Sequence, residues 1–147
     1  MNMAAYCTVS DLIDRMPEED IIALSNDDET PTINNSRVTA AISDASEFID
    51  GFLRGVYDLP LATVPVIIKG LCISLVIYKL YLRRFAGDSE GIPETVAENN
   101  KMARADLISI QRGIIKLDTG NANTDQGMFL TDKNGMEEFA DSILNKF

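Results

Sequence analysis

Histidine is absent from the 147-residue chain, and so is tryptophan. Without an imidazole, a general base working near neutrality would have to be a perturbed Asp, Glu, Cys or Lys, and none of these has an identifiable orienting partner in the sequence. No glycine-rich phosphate loop is present either. The chain reads as a non-enzyme, with no catalytic residue, no cofactor and no metal ligand expected. Positive charge is also in deficit: 13 Lys and Arg face 23 Asp and Glu, a net charge of −10. Each phosphate contact needs a base that no nearby acid cancels, so a surface that reads nucleic-acid sequence is not expected. Cysteine occurs twice, as Cys7 and Cys72, in no CxxC pair, which fits a reduced cytosolic compartment. No base precedes Arg15 and no apolar signal core follows it, so no secretory peptide is expected.

What the chain does have is leucine, isoleucine, alanine and valine at helical spacing. An all-α fold follows: a small helical bundle of short N-terminal helices and three longer ones over residues 1–117, then a flexible tail over 118–147 ending in an amphipathic helix. Thr8 and Asp11 have the spacing of a capping box, and Pro17 with Glu18, Glu19 and Asp20 marks a second helix start. The best-defined helix begins with Asn35 and Ser36 as caps and carries Val38, Ala41, Ile42, Ala45, Phe48, Ile49, Phe52 and Leu53 on one face. Asp44, Glu47, Asp50 and Arg54 fall between them, on the side left to water. After it, Gly55 turns the chain, Tyr57 offers a ring to a partly buried site, and Leu59 and Pro60 set an extended step toward a helix opened by Thr63 and Pro65.

Residues 64–85 form the most apolar window, but Lys69, Gly70 and Lys79 interrupt it, and it reads as a buried helix rather than a membrane span. Its stripe is Ile67, Ile68, Leu71, Cys72, Leu75, Tyr78 and Leu82, with Val76 and Leu80 at the flank. A further helix runs from Pro93 to near Arg112, with Val96, Met102 or Ala103, Leu107 and Ile110 inward and Gly113 as the residue past its end. Ile114, Ile115 and Leu117 then read as an extended arm or a strand pairing with another chain. The final segment places Met136, Phe139, Ala140, Ile143, Leu144 and Phe147 on one face. A helix this short must dock, on its own bundle or on a partner.

Three acidic patterns invite a metal reading and fail it. Asp27, Asp28 and Glu29 lack ligands from a second direction. Asp44, Glu47 and Asp50 diverge around a helix. Asn121, Asn123, Asp125 and Asp132 match calcium-loop intervals but have Gln126 where the turn needs glycine. Charge is unevenly spread: residues 1–34 hold eight acids against Arg15 alone, whereas 65–92 hold Lys69, Lys79, Arg83 and Arg84 against Asp88 and Glu90. Two copies can then dock an acidic end on a neighbour's Arg83 and Arg84 or Lys101 and Arg104.

Tyr6, Thr8, Asp11 and Leu12, the run AISDASEFIDGFLRGVYDLPL, Pro65, the helix end from Tyr78 to Arg84, and Leu107 to Leu117 with Gly113 form an ordered set. In that order they resemble the small head–tail connector, or neck, proteins of Mu-like phages and prophages, over about residues 6–117. The resemblance implies a structural virion protein, a ring of about a dozen copies between the portal protein and tail-side neck or completion proteins. It implies assembly in the host cytoplasm and residence in the virion neck, with DNA passing through unread and no membrane. Asp50, Arg54, Tyr57, Leu59, Pro60, Arg83 and Arg84 then become connector-shaping or subunit-contact residues. The tail residues Met136, Phe139, Ile143, Leu144 and Phe147 would grip the portal. A different class of function also fits the composition: a small acidic regulatory protein that binds one protein target through the C-terminal helix.

Overall fold

A computed structural model describes residues 5–119. Among them are five α-helices, α1 (Val9–Arg15), α2 (Glu18–Ser25), α3 (Asn35–Leu53), α4 (Val66–Arg84) and α5 (Glu94–Gln111), with a single 3-10 turn at Ser89–Gly91 and no strand. The bundle is all-α, as the periodicity requires. The expected tail residues Met136, Phe139, Ile143, Leu144 and Phe147, and the calcium-like run before them, lie outside the described residues.

Local chemistry fixes the helix starts. Thr8 Oγ1 accepts from the Asp11 amide at 3.2 Å while the Asp11 carboxylate accepts from the Thr8 amide at 2.8 Å, so α1 begins with a reciprocal capping box. The cap of α3 lies one residue earlier than expected. Asn34, not Asn35 or Ser36, accepts from the Arg37 amide at 3.2 Å, and its own amide donates to Ser25 Oγ at 3.1 Å. That second bond ties the start of α3 to the end of α2, a link between segments that local spacing does not reveal.

α3 and α4 share the centre, each packing on the other four elements of the bundle. Val38, Ile42, Ala45, Ile49 and Leu53 of α3 are buried as their spacing predicts. On α4 Ile68, Leu71, Cys72 and Leu75 are buried as expected, with Val76 and Leu80 at their flank; Ile73 joins them, while Ile67 and Leu82 are exposed and Tyr78 is half-buried. Thirteen of its 19 residues are apolar, more than one face holds, so the pattern alone does not fix the edges of the buried face. The partners fix them, with α3 and α5 covering α4 on different sides. On α5 the choice between Met102 and Ala103 falls to the smaller residue, which is buried with Leu107 and Ile110. No described helix is long and apolar enough to cross a membrane.

α5 ends in a Schellman motif. Gly113 lies at φ 77°, its amide donates to the Ile110 carbonyl at 3.0 Å, and the Ile114 amide reaches the Ser109 carbonyl at 2.9 Å. Glycine is required there because any Cβ makes the left-handed conformation costly. Gly113→Ala is expected to lower stability by about 1 kcal/mol, read as a shifted denaturation midpoint at unchanged slope. Gly55, by contrast, does not adopt positive φ. Beyond the motif the chain does not leave as an extended arm: Ile115 is half-buried and Leu117 is buried against its own bundle.

Candidate assembly surface

The contacts of α3 give the directions of the long helices. Arg37 near its start meets Arg83 from the end of α4 at a shared carboxylate, and Ser46 lies 3.8 Å from Cys72, so α3 and α4 are antiparallel. Arg104 of α5 covers the Phe48 ring at 4.8 Å, and Leu117 beyond α5 reaches Tyr57 beyond α3, so α3 and α5 run the same way. The bundle thus has two ends, and the expected site residues divide between them.

At the first end, the last carbonyls of α2 have no base on their own helix. Arg83 supplies one from α4: its Nε and Nη2 donate to the Leu24 carbonyl at 3.1 and 2.7 Å, and its Nη1 reaches Asp27 at 3.1 Å. Arg37 adds bonds to the Ser25 carbonyl and to Asp27, both at 3.0 Å, and Arg84 lies 3.8 Å from the same carboxylate. Cations at the negative end of a helix dipole are favourable, and here they also join three helices. The expectation that a neighbour's acidic end meets Arg83 and Arg84 finds Asp27 of the same chain already there. The other basic pair is also partly engaged, since Arg104 lies over Phe48, which in turn makes an edge contact with Phe52 at 5.2 Å.

The Arg83 hydrogen bond holds the Asp27 carboxyl below its ordinary range. A carboxyl with a depressed folded value contributes stability above its unfolded pKa of about 4 and loses it as the pH falls through the folded value. The melting temperature is therefore expected to fall in acid. Asp27→Asn should melt lower at neutral pH and show a shallower acid limb, which thermal melts across that range will measure.

At the second end, Tyr57 is 6% exposed and its hydroxyl accepts from the Leu117 amide at 2.8 Å. Leu59 packs against the core, Pro60 is exposed, and Arg54 caps α3 through its backbone amide while its side chain faces water. Asp50 departs from expectation. It is 7% exposed rather than on the water side, because the Tyr6 phenol donates to its carboxylate. Burial, then that hydrogen bond, push the Tyr6 phenol well above its usual range. The Tyr6 amide also donates to Ser46 Oγ at 3.1 Å, and the next residue, Cys7, places its Sγ 3.2 Å from Cys72 Sγ. The contact with Cys72, then burial, hold the Cys7 thiol far above the ordinary thiol range.

Sequence reasoning missed this buried cluster of Tyr6, Cys7, Ser46, Asp50 and Cys72. Its members are 26 to 65 residues apart in paired contacts, and the one local hint is that Tyr6 and Cys7 immediately precede the Thr8 cap.

Large apolar side chains remain outside the core, above all Val66 at 86%, Ile114 at 72% and Met102 at 62% exposure. Val66 opens α4 and Ile114 follows α5, so the helix directions put both at the second end, with Arg54 and Pro60. Between α3 and α4, Ala40, Ala41, Leu80 and Leu82 line a groove of about 400 Å³ rimmed by Lys79 and Asp44. A more polar hollow of about 650 Å³ adjoins Asp27 and includes Thr30, Thr32 and Asn35. Among the described residues no cluster of three or more Cys, Asp or Glu is placed to hold a metal ion.

These features define a small helical-bundle protein whose arginines and tyrosines hold helix ends and the segments between helices in place, and which leaves Val66, Met102 and Ile114 exposed. The model of the family described as Bacteriophage Mu, Gp36 matches residues 6–130, and the chain belongs to that family. It is similar to the Mu-like prophage FluMu protein gp36 of Haemophilus influenzae, with 32% identity over 82 residues. That match covers 56% of this chain and 58% of the relative, so it spans less than two thirds of the relative's length. The chain is thus a Mu-like phage or prophage protein.

Proposed function

We propose that the chain is a structural virion protein, a head–tail connector that assembles as a ring between the portal and the tail-side neck proteins. The observation that supports this reading is the family match over residues 6–130, which takes in all five described helices and the segments between them. The surface supports it physically: Val66 and Ile114 leave apolar area at one end of the bundle that a neighbouring subunit would remove from water. The arginine cluster at the other end keeps α2, α3 and α4 in fixed relation, as a ring subunit needs. The excess of acids suits a passage for DNA, because a negative lining repels phosphate and does not retain it. In this role the chain is structural rather than enzymatic, and its place after assembly is the virion neck.

Light scattering on the purified chain, alone and with portal protein, tests the proposal. A closed oligomer, or one that forms only on portal, is the expected result. A chain that stays monomeric and never binds portal overturns the reading, and a one-to-one complex with a non-virion protein would replace it with the regulatory one.

A further inference from the structure

We propose that Cys7 and Cys72 are a dithiol site for hydroperoxides, which convert the pair to a disulfide that fastens the N-terminal segment to the middle of α4. Both thiols are free and buried, and their sulfurs are 3.2 Å apart. A disulfide bond measures about 2.05 Å, so closure asks for a shift of about an ångström. Cys72 lies on one of the two central helices, whereas Cys7 lies in the segment before α1. That segment is held by the Tyr6 amide on Ser46, the Tyr6 phenol on Asp50 and the thiol pair itself.

Local opening of residues 5–8 exposes Cys7 first, since α4 stays packed by its neighbours. Once opening takes Cys7 away from Cys72 and into water, its thiol loses its proton and the sulfur attacks one peroxide oxygen; the O–O bond breaks, and the leaving oxygen takes up that proton as water or an alcohol while Cys7 becomes a sulfenic acid. When the segment closes, the Cys72 sulfur attacks the sulfenic sulfur, the S–O bond breaks, and the sulfenic hydroxyl leaves as water with the Cys72 proton. Two thiols are oxidised by two electrons and one hydroperoxide is reduced. The bond closes a loop between residues 65 apart, so it removes unfolded-state entropy and locks the start of the chain onto the bundle. The reaction needs only the folded subunit and is independent of ring assembly.

The test uses the purified full chain with dilute hydrogen peroxide, followed by denaturation and thiol alkylation. Expected is a monomer that goes from two alkylated cysteines to none, and a tryptic product joining residues 1–15 to residues 70–79. Its melting temperature should rise by about 5 °C or more and return on reduction, with no rise in Cys7→Ser. Two thiols still alkylated, oxygen added at Cys7 without cross-linking, or disulfides only between chains would overturn the site. A cross-linked chain that melts no higher would overturn the locking role.

Discussion

Tyr57→Ala is expected to destabilise the folded chain by about 3 to 5 kcal/mol, a fall in melting temperature on the order of 10 °C or more. The ring is buried where α3 hands over to the connector, and its hydroxyl takes the Leu117 amide at 2.8 Å. Removing the ring leaves a cavity among the core side chains and also frees the segment after α5. The two contributions separate in Tyr57→Phe, which keeps the ring and removes only the acceptor, at a cost of about 1 to 2 kcal/mol. Chemical denaturation of both variants is the measurement. Equal losses would assign the role to the hydrogen bond rather than to packing, and no loss in either would show that the connector does not depend on this residue. If the proposed ring uses the end of the bundle where Val66 and Ile114 lie, Tyr57→Phe should also weaken assembly more than it weakens folding, because the residue positions Leu117 and the chain just before it.

Much of the fold was legible because helices announce themselves locally. The capping box at Thr8, the acidic first turn of α2, the stripe on α3 and the glycine after α5 each depend on residues within one or two turns. The face of α4 was legible in part: Ile68, Leu71, Cys72 and Leu75 and the flanking Val76 and Leu80 are buried, whereas the exposure of Ile67 and Leu82 and the burial of Ile73 depend on where α3 and α5 pack. The site residues divide the same way. Tyr57 was recognisable as a half-apolar ring in a shaped connector, although its partner at Leu117 was not. Arg83 and Arg84 were recognisable as a basic pair at a helix end, yet their shared target is an acid 56 residues before Arg83, in the loop after α2. The spacing of Asp50 between apolar residues predicts the wet side, and only the arrival of Tyr6 from 44 residues away makes its burial tolerable. Long-range pairing of one polar group with another leaves no periodic trace in a single sequence.

That pairing leads to the second large effect. Tyr6→Phe is expected to cost about 2 to 3 kcal/mol, because it leaves the Asp50 carboxylate in a nearly dry site without the phenol that donates to it. The cost is therefore mostly that of the stranded acceptor, not of the lost bond. Replacing both partners, as in Tyr6→Phe with Asp50→Leu, should recover part of the stability, and a double-mutant cycle should return a coupling of about 1 kcal/mol or more. A coupling near zero would mean that water already serves Asp50 and that the phenol contributes only its ring. The alkaline limb supplies an independent reading. The Tyr6 phenol is held above its ordinary value in the folded chain, so its contribution is complete below the unfolded pKa of about 10 and is lost as the pH rises toward the folded value. The wild-type melting temperature should therefore fall above about pH 10 more steeply than that of Tyr6→Phe, which has no phenol to ionise at this position. Since the same segment carries Cys7 beside Cys72, Tyr6→Phe should also open residues 5–8 more often and hasten peroxide oxidation of the thiol pair, joining the buried polar cluster to the redox chemistry through one side chain.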